Sequence, residues 1–166
     1  PRQTAEKFKS RVDALAPKPG YAAGYHVPAR GTPEWYAMGL IDQILLQGDD
    51  SRLFKKLVSD TGIAGELSGG INGDLGNMFN YRGPMLWSFS FTHDTTHSAA
   101  QITKAVDEVI EALRTTPVSA AELQRARTKM RSELYGTIDG GGRVGLIDLL
   151  AVYALFDNDP AAVNRI

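Results

Sequence analysis

The chain has 166 residues, 43% of them hydrophobic and 22% charged, with 18 Lys and Arg against 19 Asp and Glu and no cysteine. That length accommodates one domain with a core of its own, and no apolar run approaches the roughly 20 residues that span a bilayer. The missing thiols exclude disulfides, thiolate metal sites and cysteine nucleophiles, while a net charge of -1 excludes a global field for nucleic acid.

Because the first residue is Pro1 and not Met, the chain is read as a single α+β domain fragment of something longer. Residues 1–19 are expected to form a helix and linker, 20–157 the core, and 158–166 the start of a truncated element. Ala5, Phe8, Val12 and Leu15 follow Thr4 at helical spacing until Pro17 and Pro19 interrupt them. From Gly20 the period changes to two, with Tyr21, Ala23, Tyr25 and Val27 on one side, which predicts a strand ending at Pro28. Thr32-Pro33-Glu34 then opens a helix, with a cap, a proline at the first helical position and an acid at the positive end of the dipole. This helix is expected to run to about Gln47, with Trp35, Met38, Ile41 and Leu45 inward. A shorter helix after Asp50 or Ser51 turns Leu53, Phe54, Leu57 and Val58 inward and stops before Gly62.

Period two returns from Ile63 to about Ile71, then a glycine-rich excursion including Asn72-Gly73 leads to Met85–Thr92, where Trp87, Phe89 and Phe91 alternate with Leu86, Ser88 and Ser90. Ile102, Val106, Val109, Ile110 and Leu113 mark a helix over 98–114. Ser119 and Glu122 form a predicted capping box ahead of a helix with Leu123, Ala126, Met130 and Leu134 on one face. Gly136 and Gly140-Gly141-Gly142 are expected to break it before a very apolar last helix, Val144–Phe156. The fold class is therefore α+β: a mainly antiparallel sheet with helices on one face.

Few residues here are arranged for chemistry. His93 and His97 are four apart, but at a strand–helix junction and without a glutamate between them, so a solvated loop with a cap is the better reading than a zinc site. His26 reads as a structural histidine on a strand. The glycines from Gly140 follow a helix and lack the Lys-Ser/Thr ending of a phosphate loop. Arg125, Arg127, Lys129 and Arg131 have Glu122 and Glu133 beside them and read as a solvated helix face. No residue is assigned as catalytic and none as a metal ligand.

Gly24-Tyr-His-Val-Pro28, Thr32-Pro-Glu-Trp-Tyr-Ala37, Gln47-Gly-Asp-Asp-Ser-Arg-Leu-Phe54 and Gly62-Ile-Ala64, followed by Ser119–Lys129, resemble the pitrilysin/insulinase-type zinc metallopeptidases over Gly20 to Asp157. Ser51, Arg52, Leu53 and Gly62 are the residues that match the family's fold motifs. Those proteins are built from homologous α+β domains, only some of which carry the inverted zinc motif His-x-x-Glu-His. This sequence has no such motif, so the resemblance implies a non-metal, carboxy-terminal-type domain of a zinc-dependent peptidase.

The resemblance further implies one wall of a peptide-enclosing chamber, packed on a homologous zinc-bearing domain or subunit, with peptide as substrate. No cofactor is expected in this chain, zinc being expected in the missing domain of an active parent, and the chain alone is expected to be inactive. The alternative it implies is a non-catalytic structural, assembly or peptide-binding subunit of the same fold. The family's substrate-contacting Arg and Tyr fall on Val58 and Gly65, so both side chains are substituted. The apolar last helix suits an interface, so a homo-oligomer is a further expectation. Neither nucleic acid nor membrane is expected as partner, and a soluble protein of the bacterial periplasm or cytoplasm is the expected setting.

Overall fold

The computed structural model describes residues 3–140 and 143–165, with nothing stated for the side chains of 140, 143 and 144. Three strands, β1 (Gly20–His26), β2 (Ser68–Ile71) and β3 (Leu86–Thr92), form an antiparallel sheet in the order β1-β3-β2. Tyr21 lies opposite Phe91, Ala23 opposite Phe89 and Tyr25 opposite Trp87. The side-chain period of two puts these residues on one face. Trp87, Phe89 and Phe91 are buried there among Leu53, Leu57, Ile102, Val106 and Leu149. Leu86, Ser90 and Thr92 on the other face are exposed, so the helical layer covers one side of the sheet.

Helix α1 (Pro33–Leu45) begins where the sequence places it, with the Thr32 hydroxyl accepting from the Trp35 amide. Trp35 is buried and its Nε1 donates to the Tyr81 hydroxyl at 2.7 Å. A short α2 (Arg52–Phe54) continues as a π-helical stretch, Lys55–Asp60, whose wider turn leaves Leu53 and Leu57 fully buried and Phe54 and Val58 only half-buried. Helices α3 (Ala99–Thr115), α4 (Ala120–Gly140) and α5 (Arg143–Asp157) follow, then a 3-10 helix over Pro160–Arg165. Arg30 anchors α5: Nη1 donates to both Asp157 carboxylate oxygens, Nε donates to the Phe79 carbonyl, and the guanidinium lies over the Tyr153 ring.

Several sequence expectations need correction. The predicted amino-terminal helix is irregular chain, with Phe8 65%, Val12 94% and Leu15 92% exposed. A helix this short is marginal in water unless its apolar stripe is buried, and none of the described residues buries this one. Within the predicted strand from Ile63 only Ser68–Ile71 forms a continuous ladder, with an isolated antiparallel bridge from Ala64 to His93. The Ala64 amide donates back to the Leu57 carbonyl at 2.9 Å, which ties this stretch to the preceding helical turn. Met38 and Ile41 of α1 are half-buried, whereas Asp42, Gln43 and Ile44 are buried with Trp35 and Leu45.

At the start of α4 the Ser119 hydroxyl accepts from the Glu122 amide, but the Glu122 carboxylate takes both hydrogen bonds of Arg52, at 2.8 and 2.7 Å, so the box is half-formed. A complete capping box instead joins Ser98 and Gln101 ahead of α3. Helix α4 also runs straight through Gly136; of the predicted break at Gly140–Gly142, Gly141 and Gly142 lie outside the described residues, as does Ile166. A methyl group at Gly136 would meet nothing within 4 Å. Gly136→Ala is therefore expected to stabilise the protein by about 0.5–1 kcal/mol through the lower backbone entropy of the unfolded chain. An upward shift of the urea midpoint checks it, and a lower midpoint would contradict a continuous helix at this point.

Candidate functional site: the cleft between α1, β2 and α4

Two helical faces meet at a glycine-rich wall. Tyr36, Gly39, Leu40, Gln43 and Gln47 recur at helical spacing along α1 and its end, and Arg127, Met130, Arg131, Leu134 and Thr137 do so along α4. Gly69, Gly70, Gly73 and Gly76 close the third side, leaving a cleft of about 420 Å³. The helices approach closely because residue 39 has no side chain: a Cβ there would stand 2.8 Å from Met130 Cε and 3.0 Å from Met78 Cε. A larger gap between Glu6, Phe8 and α3 lies beneath the irregular amino-terminal segment and is open to solvent.

Asp42 lies at the inner end of the cleft. Its Oδ1 accepts from Trp87 Nε1 at 2.6 Å and its Oδ2 from Gln47 Nε2 at 3.0 Å, so one buried carboxylate links α1 to β3. Burial pushes its pKa up to about 6 against these two hydrogen bonds, with Glu133 adding a repulsion and Lys129 an attraction. Glu133 is raised by partial burial and accepts from Gln43 Nε2 at 2.7 Å. Behind them Lys129 donates to the Gln47 carbonyl and to Asp50 Oδ1 at 2.7 Å, a cation at the negative end of α1.

This arrangement sets a pH dependence. The folded state holds the Asp42 proton more tightly than the unfolded chain does, so its contribution is fully present below about pH 4 and is lost as pH rises through about 6. The span is worth about 3 kcal/mol. In Asp42→Asn the carbonyl can still accept from Trp87 while the titration is gone. The difference in unfolding free energy between variant and wild type is expected to shift toward the variant between about pH 4.5 and about pH 7.5. Identical pH slopes in urea unfolding would mean that Asp42 is not a buried acid.

The residues singled out by sequence lie elsewhere. Ser51 is buried at the cap position of α2, with no partner for its hydroxyl among the described residues. Arg52 pairs with Glu122 at 2.7 Å, and Leu53 is in the core. Gly62 has φ +64, a left-handed turn that favours glycine. Val58 packs half-buried against the core and Gly65 is exposed; neither lines the cleft.

Among the described residues no third ligand joins His93 and His97. The Nδ1 of His93 faces the Asp94 carbonyl at 2.6 Å, and that of His97 lies 3.1 Å from Asp94 Oδ1, an oxygen that also accepts from the Thr96 amide and hydroxyl. Those Thr96 bonds, then His97, hold the Asp94 carboxyl down at about 2. Among the described residues no group of three or more His, Cys, Asp or Glu is placed to hold a metal, and no helix is long and apolar enough to cross a membrane. His26 is exposed at the end of β1. The basic face of α4 divides: Lys129 and Arg125 turn to Asp50, while Arg127 and Arg131 line the cleft. Sequence reading missed Asp42; the available signal was an acid, followed by Gln43, between Ile41 and Ile44 of a largely apolar helix.

A one-sided antiparallel sheet under a helical layer defines an α+β domain, and among its described residues no metal-ligand set is found. The chain belongs to the family of peptidase M16 inactive domains, whose model matches residues 1–130. It is similar to the structure of a putative zinc protease from Bordetella pertussis, with 25% identity and TM-score 0.64 over 87% of this chain and 78% of that one. The inactive peptidase domain of a putative zinc protease from Bordetella parapertussis gives 26% identity and TM-score 0.63 over 86% and 76%. A protease from Helicobacter pylori shares the fold at 18% identity and TM-score 0.69 over 87% of this chain, which spans 32% of the length of that one. Comparison with curated protein sequences gives no match.

Proposed function

We propose that this inactive domain forms one wall of a peptide-enclosing chamber and packs on a homologous zinc-bearing domain of a zinc-dependent peptidase. The observation that carries the reading is the uncovered face of the sheet. Ala22 and Gly24 of β1, Ser90 and Thr92 of β3 and Ser68 of β2 present small and hydroxyl side chains to solvent, with His26 and Leu86 at one end of the face. Such a face leaves room for an extended peptide and offers it hydrogen bonds, while the opposite face holds the core. Helix α5 supplies a surface for packing: Leu149, Val152 and Tyr153 point inward, yet Leu146, Ile147 and Leu155 are exposed on the same helix. These exposed residues also suit contact with a second copy of the chain.

Val58 and Gly65 stand where the family resemblance places Arg and Tyr, so on this reading the chain contributes wall and packing surface and not those substrate contacts. The same substitution favours a second reading, a non-catalytic assembly or peptide-binding subunit. One experiment separates them. A homologous domain carrying His-x-x-Glu-His is assayed on an unstructured peptide with and without this chain. The first reading expects activity that depends on this chain and falls when Ser90→Trp obstructs the open face, with the variant's own stability unchanged. Complex formation with no effect on turnover supports the second reading, and neither complex nor effect refutes both.

A further inference from the structure

We infer that the cleft between α1, the Gly69–Phe79 stretch and α4 binds a short peptide segment that carries an apolar side chain followed by a carboxylate. The peptide nature of the ligand rests on the function proposed above; the pairing of apolar and acidic groups rests on the cleft. Its volume of about 420 Å³ lies within the about 300–1,000 Å³ range of ligand sites. Tyr36, Leu40, Met78, Met130 and Leu134 line it and are only half-buried, so apolar surface faces the opening. Methionine adapts to different apolar shapes, which suits a site selective for character more than for one side chain.

The charges decide the rest. Of the two acids in the cleft, buried Asp42 accepts from Trp87 and Gln47, and exposed Glu133 accepts from Gln43 at one oxygen. Arg127 and Arg131, one turn apart on α4, have no acid within ion-pair distance among the described residues, whereas Arg125 and Lys129 on the other side of that helix share Asp50. Two exposed guanidinium groups beside an apolar floor are matched by a carboxylate, which each can hold through paired hydrogen bonds. A cationic ligand would meet these arginines at the rim, and the buried Asp42 behind them already accepts at both oxygens.

The test titrates the chain, with its methionine methyls ¹³C-labelled, with N-acetyl-Leu-Leu-Glu-Glu-amide and with the Lys-Lys counterpart. Saturable shifts are expected at Met78 and Met130 but not at Met38 and Met85, which lie outside the cleft. Affinity is expected to fall about tenfold in the doubly substituted Arg127→Gln, Arg131→Gln protein, whose changes lie on the exposed side of α4. The Lys-Lys peptide is expected not to saturate. Equal affinity for the two peptides, an unchanged affinity in the double variant, or no saturable shift at Met78 and Met130 would overturn the proposal. Because binding is read on this chain alone, failure of the chamber-wall reading in the turnover assay remains distinguishable from failure here.

Discussion

Replacing Trp87 by alanine is expected to cost about 3–5 kcal/mol, the range for deleting a large aromatic side chain from a packed core. Trp87 is 1% exposed, tilted against Phe89 at 5.4 Å and against Tyr25 at 5.6 Å. Its removal opens a cavity and also leaves Asp42 with Gln47 as its remaining donor. Trp87→Phe separates the two effects, because it keeps most of the ring volume and deletes only the N–H. Its cost is expected to be about 1–3 kcal/mol, and to be larger near pH 7.5 than near pH 5, since only the ionised carboxylate loses a charge-assisted bond. Urea unfolding of both variants at the two pH values is the measurement. A phenylalanine variant equal to wild type at both would show that the hydrogen bond contributes nothing and that packing alone sets the effect.

Gly69→Ala is expected to be comparably damaging although it adds one methyl. The residue has φ +150, a region that side chains rarely adopt, and a Cβ would stand 2.1 Å from the Ser88 carbonyl oxygen and 2.6 Å from the Phe89 Cα. Those neighbours are backbone of the central strand and cannot turn aside as a flexible side chain would. Relief requires β2 to separate from β3, with loss of the pairing from Ser68–Ser90 to Ile71–Trp87. Strain and overpacking together are expected to cost about 3 kcal/mol or more. Faster amide exchange at residues 68–71, with β1–β3 pairing retained, is the expected signature. Unchanged exchange there would mean that the strand accommodates a side chain.

The candidate site was far less legible than the fold. Local pattern marked Arg127 and Arg131 as part of a basic helix but could not divide that face, because the division depends on Asp50 reaching Arg125 and Lys129 from a loop distant in the chain. Asp42 carried no recognisable motif. Its role comes from Trp87, 45 positions further on, and from the burial that raises its pKa. Likewise Glu122 looked like one half of a capping box until Arg52, 70 residues away, took its carboxylate. A local capping hydrogen bond loses to a two-point guanidinium pair when tertiary contact brings one within reach.

What the sequence by itself determined was whatever short-range chemistry dictates. The Thr32-Pro33-Glu34 start of α1, the alternation that buries Trp87, Phe89 and Phe91, and the apolar stripe of α3 need only neighbouring residues, because a period and a cap are properties of a few consecutive positions. Tertiary structure decided where those patterns were overruled or left unfulfilled. The stripe of Phe8, Val12 and Leu15 has helical spacing but no surface among the described residues to bury it, and it is irregular, while Gly136 lies inside a helix that its packed neighbours sustain. The cleft itself arises only when Gly39 lets Met130 and Met78 close over α1 and the glycines of β2 complete the wall. Helix and strand propensities differ by about 1 kcal/mol or less per residue, and burial of a single large side chain outweighs them.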